Sequence, residues 1–190
     1  MELQEIIKDR RSIQLYQDKE VDIVLLKSLL ETAIWVPNHK MTQPWRFVFV
    51  YGEGKEKIAQ LNKSFSAKGA TKEEKERSGE KAFQKMMDVP VFLMVIMEEN
   101  ADRKQREEDY AATSCFIQNF SLLAWEKGIG MIWKTGPLTT TPAFREAIGA
   151  KLGEKVVGML QIGYPAKVPK PRKRVDIHDR IEEINSAPLY

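Results

Sequence analysis

Arg10, Arg11 and Ser12 are the first consecutive residues in the chain whose types could do chemistry. Two guanidiniums and a hydroxyl close together can clamp a phosphate group, because the planar arginine fork matches phosphate oxygens. The triplet also ends a predicted helix that begins near Leu3, and cations there relieve the negative C-terminal end of a helix. Taken alone, the triplet favours the helix-end interpretation and leaves the phosphate clamp open.

A polar loop at residues 38–44 (Asn-His-Lys-Met-Thr-Gln-Pro) is the second candidate. It follows a helix that Asp22 is predicted to cap, and it precedes an aromatic, β-branched strand at residues 46–51. Its amide and imidazole groups can form hydrogen bonds with the heteroatoms of a ligand, although an ordinary connection could carry the same residues. Trp35 stands at the helix end beside this loop, and a position in the core is one interpretation of it.

The C-terminal tail is the third candidate. Residues 167–174 hold five lysines or arginines and no acid, within a Pro-rich stretch predicted to be extended over residues 165–190. Such a run is typical of a solvated basic tail.

Several catalytic motifs are absent from the sequence. It contains no GxxxxGK[ST], GxGxxG, GxSxG or HExxH pattern. Two histidines and one cysteine do not make a typical zinc site, so no metal is expected. The single cysteine, Cys115, is expected to be buried and inert. A bound organic cofactor fits this pattern, because the protein then needs few reactive side chains.

The surrounding elements predict one α+β domain over residues 1–190, with 43% hydrophobic residues and a net charge of +3. Residues 89–97 indicate a strand buried on both faces, and two further strands are expected at 131–133 and 156–162. The helix predicted at residues 110–127 is apolar around most of its circumference and needs a sheet or a partner subunit on more than one side. We find no signal peptide and no membrane-spanning run, so a cytoplasmic location is expected.

Residues 68–85 carry six lysines or arginines and four glutamates. A solvated helix is the favoured interpretation, and a mobile flap or insert over a pocket, spanning about residues 64–87, is the alternative.

Taken together, these stretches resemble the nitroreductase family of FMN-dependent oxidoreductases over almost the whole chain. The matching segments are Arg-Arg-Ser at 10–12, Gln-Pro-Trp at 43–45, the helix and strand at 118–130, and Gly-Tyr-Pro at 163–165 with the basic tail. The resemblance is strongest to the short bacterial NAD(P)H nitroreductases. It implies a central mixed or antiparallel sheet of four to five strands surrounded by helices, in an intertwined homodimer.

The resemblance also implies an FMN site, which the members bind at the dimer interface. Arg10 and Ser12 would hold the phosphate, ribityl chain or pyrimidine edge, with Arg11 nearby, and the tail and strand end would complete the site. Many members have an asparagine where this chain has Met41, and His39 is the expected substitute. The full set of expected cofactor contacts is Arg10, Arg11, Ser12, Trp35, His39, Trp133, Lys134, Thr135, Arg172 and Arg174.

The implied activity is a two-step cycle. NAD(P)H gives hydride to flavin N5, and the electrons then pass to a small acceptor such as a nitroaromatic or quinone, with no catalytic side chain required. Dehalogenation, enone reduction and flavin cleavage are alternatives on the same fold, and a non-enzymatic module that docks its tail on RNA is a third class. No nucleic-acid or membrane partner is expected, and neither the acceptor nor a preference for NADH or NADPH can be read from the sequence.

Overall fold

The computed structural model describes residues 2–185. Six helices and four strands form the framework of this part of the chain. The helices are Leu3–Asp9 (α1), Ile23–Ala33 (α2), Lys55–Ser66 (α3), Lys72–Met87 (α4), Arg103–Glu126 (α5) and Pro142–Ala147 (α6). The strands are Trp45–Tyr51 (β1), Val91–Glu98 (β2), Gly130–Lys134 (β3) and Glu154–Gly163 (β4). Short 3-10 turns occupy His39–Met41, Gly52–Gly54, Pro137–Thr140 and Ile177–Arg180.

The four strands form one antiparallel sheet in the order β1-β2-β4-β3. This confirms the expected α+β class and antiparallel sheet. Strand β2 lies in the interior of the sheet, and its residues from Val91 to Met97 are at most 3% exposed. A continuous apolar run is typical of such a strand, because both of its faces are covered.

Helices cover both faces of the sheet, which gives two separate apolar cores. Helices α2 and α5 pack on one face, around Phe116 and Phe120. Helices α3, α4 and α6 cover the other face, around Phe92 and Phe144. The alternating side chains of β2 and β4 contribute to both cores, because successive residues of a strand point to opposite faces.

Local sequence signals explain where the helices begin. The Asp22 side chain accepts a hydrogen bond from the Val24 amide at 2.7 Å, as expected for the cap of α2. Thr141 caps α6 in the same way, with Pro142 at the first helical position. Thr71 and Glu74 form a capping box that starts α4.

Two expectations about α5 need correction. The helix begins at Arg103, seven residues before the predicted start at Tyr110, because Asp102 caps it and the pair Arg103–Glu107 supports its first turns. Cys115 is exposed, whereas the sequence predicted a buried position. It lies on the side of α5 that faces away from the sheet of its own chain.

Candidate functional site

The segment that carries Ser12 lies along the free edge of the sheet. Ser12 forms a parallel bridge with Met131 of β3, and the Ile13 amide donates to the Met131 carbonyl at 3.1 Å. This contact is close: a Cβ atom on Gly130 would overlap the Ile13 side chain. Gly130 therefore lets the segment lie against the edge strand β3. This contact also sets the position of Arg10 and Arg11, which connect the end of α1 to Ser12.

Arg10 and Arg11 lie here within electrostatic range of Arg174, which is far from them in the sequence. The pKa of Arg10 is lowered by burial first, and then by repulsion from Arg11 and from Arg174 of the tail. Within residues 2–185 none of the three forms a salt bridge. The Nε atoms of Arg10 and Arg11 are also buried there without a hydrogen-bond partner. The cluster is thus an uncompensated positive site, and a buried polar group of this kind normally has a partner.

The two interpretations of the arginine triplet divide between its members. Arg11 donates from Nη1 to the carbonyls of Lys8 and Arg10, at 2.5 and 2.9 Å, and so satisfies the C-terminal end of α1. Arg10 contributes only its backbone amide to the helix end, by donating to the Ile6 carbonyl at 2.9 Å. The helix-end interpretation therefore applies to Arg11, and the Arg10 side chain is left for another partner.

The polar loop after α2 is held against α5 from two sides. Asn119 of α5 donates to the Trp35 carbonyl at 3.4 Å, just before the loop. Within the loop, Thr42 donates to the carboxylate of Asp109 at 2.5 Å. His39 lies 3.9 Å from Glu108, and its side chain is 59% exposed, so its ring is available to a ligand or to a second chain.

Trp35 after α2, and Trp133 and Lys134 of β3, differ in their environments. Trp35 is 84% exposed, which excludes the core alternative within one chain. Trp133 is half-buried, and its Nε1 donates to the Val157 carbonyl at 3.0 Å. Lys134 ends β3 on the face that α4 covers, and its pKa is lowered by burial and then by repulsion from Lys85 of α4.

The remaining expected contacts lie on exposed segments. Thr135 follows β3 directly and is exposed. Arg172 and Arg174 are exposed, and Arg174 donates to the Arg172 carbonyl at 3.0 Å. Of these two tail arginines, Arg174 is the one whose charge lowers the pKa of Arg10. The predicted tail runs to residue 190, and its last five residues lie outside the described part of the chain.

Sequence reasoning missed three features around this site. Lys85 lies in the charged run that predicted a solvated helix, so nothing in the pattern related it to Lys134. The link between Thr42 and Asp109 joins residues distant in sequence and has no local signal. A cavity of about 1150 Å³ lies between residues 14–21, the end of β1 and the C-terminal end of α4. None of the ten expected cofactor contacts lines it.

Within residues 2–185 no three His, Cys, Asp or Glu side chains lie together as metal ligands would. No helix among the described residues has the length and apolar character needed to cross a bilayer.

Known proteins place this chain in a family. Residues 7–164 match the Nitroreductase family. The Bacillus subtilis (strain 168) protein YfhC, a proposed NAD(P)H nitroreductase, is 39% identical over 185 residues, which cover 96% of this chain and 94% of YfhC. A crystal structure of a nitroreductase-like family protein from Bacillus cereus is 40% identical, covers 98% of this chain and 97% of its own, and superposes with a TM-score of 0.86.

A third relative adds a likeness in fold. A proposed nitroreductase from Desulfovibrio desulfuricans, solved in complex with FMN, has a TM-score of 0.73 at 19% identity, with 98% of this chain and 99% of that chain covered. The chain therefore belongs to the nitroreductase family. This confirms the family, the nitroreductase-like fold and the oxidoreductase class that the sequence predicted.

Proposed function

We propose that the protein is an FMN-dependent oxidoreductase that takes hydride from NAD(P)H and reduces a small acceptor such as a nitroaromatic or a quinone. The observation that carries the proposal is the cluster of Arg10, Arg11 and Arg174, whose charges act on one another and which, among residues 2–185, form no salt bridge with a carboxylate. The name of YfhC and the FMN complex of the Desulfovibrio desulfuricans protein support the same cofactor and donor.

The chemistry of the arginine cluster fits a phosphate group. A phosphate monoester carries nearly two negative charges, and its oxygens accept hydrogen bonds from guanidiniums. Arg10 has a buried Nε without a partner, and its charge is disfavoured by its neighbours until an anion is present. We assign the phosphate to Arg10 and Arg174, with Ser12 beside them on the sheet edge.

Other residues would hold the ring system and its surroundings. His39 offers an exposed imidazole, and Trp133, Lys134 and Thr135 lie at the end of β3. Burial and Lys85 disfavour the charge on Lys134, so a developing negative charge nearby would stabilise it. Bound FMN would supply two-electron transfer between the donor and the acceptor, which no side chain here provides.

We further propose that the protein is a homodimer in which a second copy completes each site. Several apolar side chains lie on the surface of one chain, among them Trp35, Leu3 and Ile7 of α1, and Ile177 and Ile181 of the tail. Along α5, the row Ala111, Cys115, Gln118 and Leu122 is exposed or half-exposed. Apolar surface of this kind marks an interface with another protein.

The visible spectrum of the purified protein, with and without added FMN, tests the proposal directly. Bound flavin should give the absorption bands of an oxidised flavin, and an anaerobic addition of NADH or NADPH should bleach them. Addition of a nitroaromatic or a quinone should then restore the bands. A protein that binds no FMN at saturating concentration, or whose flavin neither nucleotide bleaches, would contradict the proposal.

The choice of acceptor distinguishes the related reactions. Steady-state rates with a nitroaromatic, a quinone, a halogenated phenol and an enone, measured at one concentration of donor, rank the four classes. A high rate with only the halogenated phenol or only the enone would replace the proposed acceptor and keep the flavin. A colourless protein that binds RNA in a salt-sensitive way would instead favour the non-enzymatic module.

A further inference from the structure

The polar loop after α2 has an unusual backbone for its residue types. Lys40, Met41 and Gln43 have φ angles of +57°, +50° and +42°. Left-handed backbone disfavours residues with a Cβ atom, and it persists only where surrounding contacts enforce it. None of the three is glycine or asparagine, so their own backbone preferences do not explain this shape. Other interactions must hold the loop in it.

A chain of directed hydrogen bonds supplies those interactions. The Gln43 amide donates to Asn38 Oδ1 at 2.7 Å, and Asn38 Nδ2 donates to Thr42 Oγ1 at 3.0 Å. The Thr42 hydroxyl has one proton and donates it in a hydrogen bond to Asp109 Oδ1 at 2.5 Å, since its contact with Asn38 Oδ1 is longer, at 3.4 Å. Every donor points towards Asp109, and hydrogen bonds aligned in this way strengthen one another.

Asp109, the last acceptor in this series of hydrogen bonds, is buried. Asp109 lies on α5, is 2% exposed and also accepts from Gln105 Nε2 at 3.0 Å. Within residues 2–185 it forms no salt bridge with a cation. A buried carboxylate held only by neutral donors is unfavourable unless those donors are well placed. Asp109 lies beneath the loop and is hydrogen-bonded to it through Thr42, so packing alone does not explain a buried acid at this position.

We propose that Asp109 is a positioning residue for cofactor binding, acting through Thr42 to keep the loop in its left-handed shape. The loop then presents His39 to the FMN, with its ring directed by the fixed backbone on either side. This inference rests on the proposed function, because FMN is the ligand for which the loop is shaped. Asp109 itself lies beneath the loop and needs no contact with the cofactor.

Removal of one hydroxyl group tests this role with little change in volume. Thr42→Val removes the donor to Asp109, whereas Thr42→Ser keeps it. Thr113→Val is the matched control on the same helix, because Thr113 is buried and donates only to the Asp109 main-chain carbonyl, at 2.8 Å. The readouts are the Kd for FMN, measured by flavin fluorescence, and amide hydrogen exchange at Gln43 in the cofactor-free protein.

Thr42→Val loses the hydrogen bond to Asp109 and also the one that Thr42 accepts from Asn38. The FMN Kd of this variant should therefore rise about tenfold or more, and exchange at the Gln43 main-chain amide should speed up by a similar factor. Thr42→Ser and Thr113→Val should stay within about twofold of wild type for both quantities, because their loop anchor is intact. Unchanged affinity and exchange in Thr42→Val would overturn the inference, as would an equal loss in Thr113→Val. If the wild type binds no FMN, the proposed function is wrong and this inference is wrong with it. If the wild type binds FMN and Thr42→Val binds it equally well, this inference alone is wrong and the proposed function stands.

Discussion

Replacement of Arg10 by methionine separates the two roles that an arginine can have at the end of α1. Methionine keeps an unbranched apolar stem of comparable length and removes the guanidinium. If Arg10 binds the phosphate of FMN, the variant should lose cofactor affinity. If it stabilises the helix end, the variant should lose stability instead.

General magnitudes for such contacts give the expected size of each effect. One charge-assisted hydrogen bond contributes about 1.5–3 kcal/mol, which corresponds to about a 12- to 150-fold rise in Kd. The free energy of unfolding of the cofactor-free protein should change by less than about 1 kcal/mol, the usual scale of a charge near a helix end. The loss of stability should be smaller still, because removal of the Arg10 guanidinium relieves its repulsion with Arg11 and Arg174.

The assay pairs fluorescence titration of FMN with urea unfolding of the cofactor-free protein. Arg11→Met is the matched comparison, since Arg11 does satisfy helix carbonyls. It should lose about 0.5–1.5 kcal/mol of stability, and its FMN affinity should fall less than that of Arg10→Met. An Arg10→Met protein that binds FMN within about threefold of wild type, while its stability falls as far as that of Arg11→Met, would refute the reasoning.

Three other predictions concern stability and assembly. Hydrogen bonds from Arg46 lower the pKa of Glu154 from 4.5 to about 2, so the ion pair should contribute about 1–3 kcal/mol above pH 4.5 and lose it as pH falls towards 2. Urea unfolding should show this acid-dependent loss in wild type and not in Glu154→Gln. A Cβ atom at position 158 would overlap the Trp133 indole, so Gly158→Ala should cost about 1–3 kcal/mol and alter tryptophan fluorescence; an unchanged urea midpoint would contradict this. Light scattering should give the mass of two chains, and Cys115→Glu, which places a charge on the exposed side of α5, should give a monomer that retains little flavin. A flavin-loaded monomer would contradict the assembly.

The sheet and most helix starts could be predicted from the sequence because their signals are local. The apolar run that became β2 and the caps at Asp22 and Thr141 each depend on a few neighbouring residues. The start of α5 was missed although its signals were also local. Asp102 and the pair Arg103–Glu107 lie in a charged stretch, and the prediction relied on apolar spacing, which begins only later.

The environment of the site was harder to predict, because most of it depends on contacts between distant residues. The resemblance to a family suggested which residues belong together, but not how each one is held. Nothing in the local pattern assigns the Arg11 side chain to the helix carbonyls and leaves the Arg10 side chain for another partner, because the two residues are chemically identical and adjacent. Likewise, the burial of Asp109 beneath the loop arises only when α5 packs against the sheet.

The edge of β3 shows why the fold and the site cannot be treated separately. An exposed edge strand is open to unwanted pairing with other chains, and here the segment after α1 covers it. The segment can cover β3 only by approaching it closely, which Gly130 allows. The same close approach fixes the position of Arg10 at the end of α1. The covering segment and the positive cluster are therefore set by the same contacts. In the proposed site, the residues that cover this edge of the sheet also determine where the phosphate would bind.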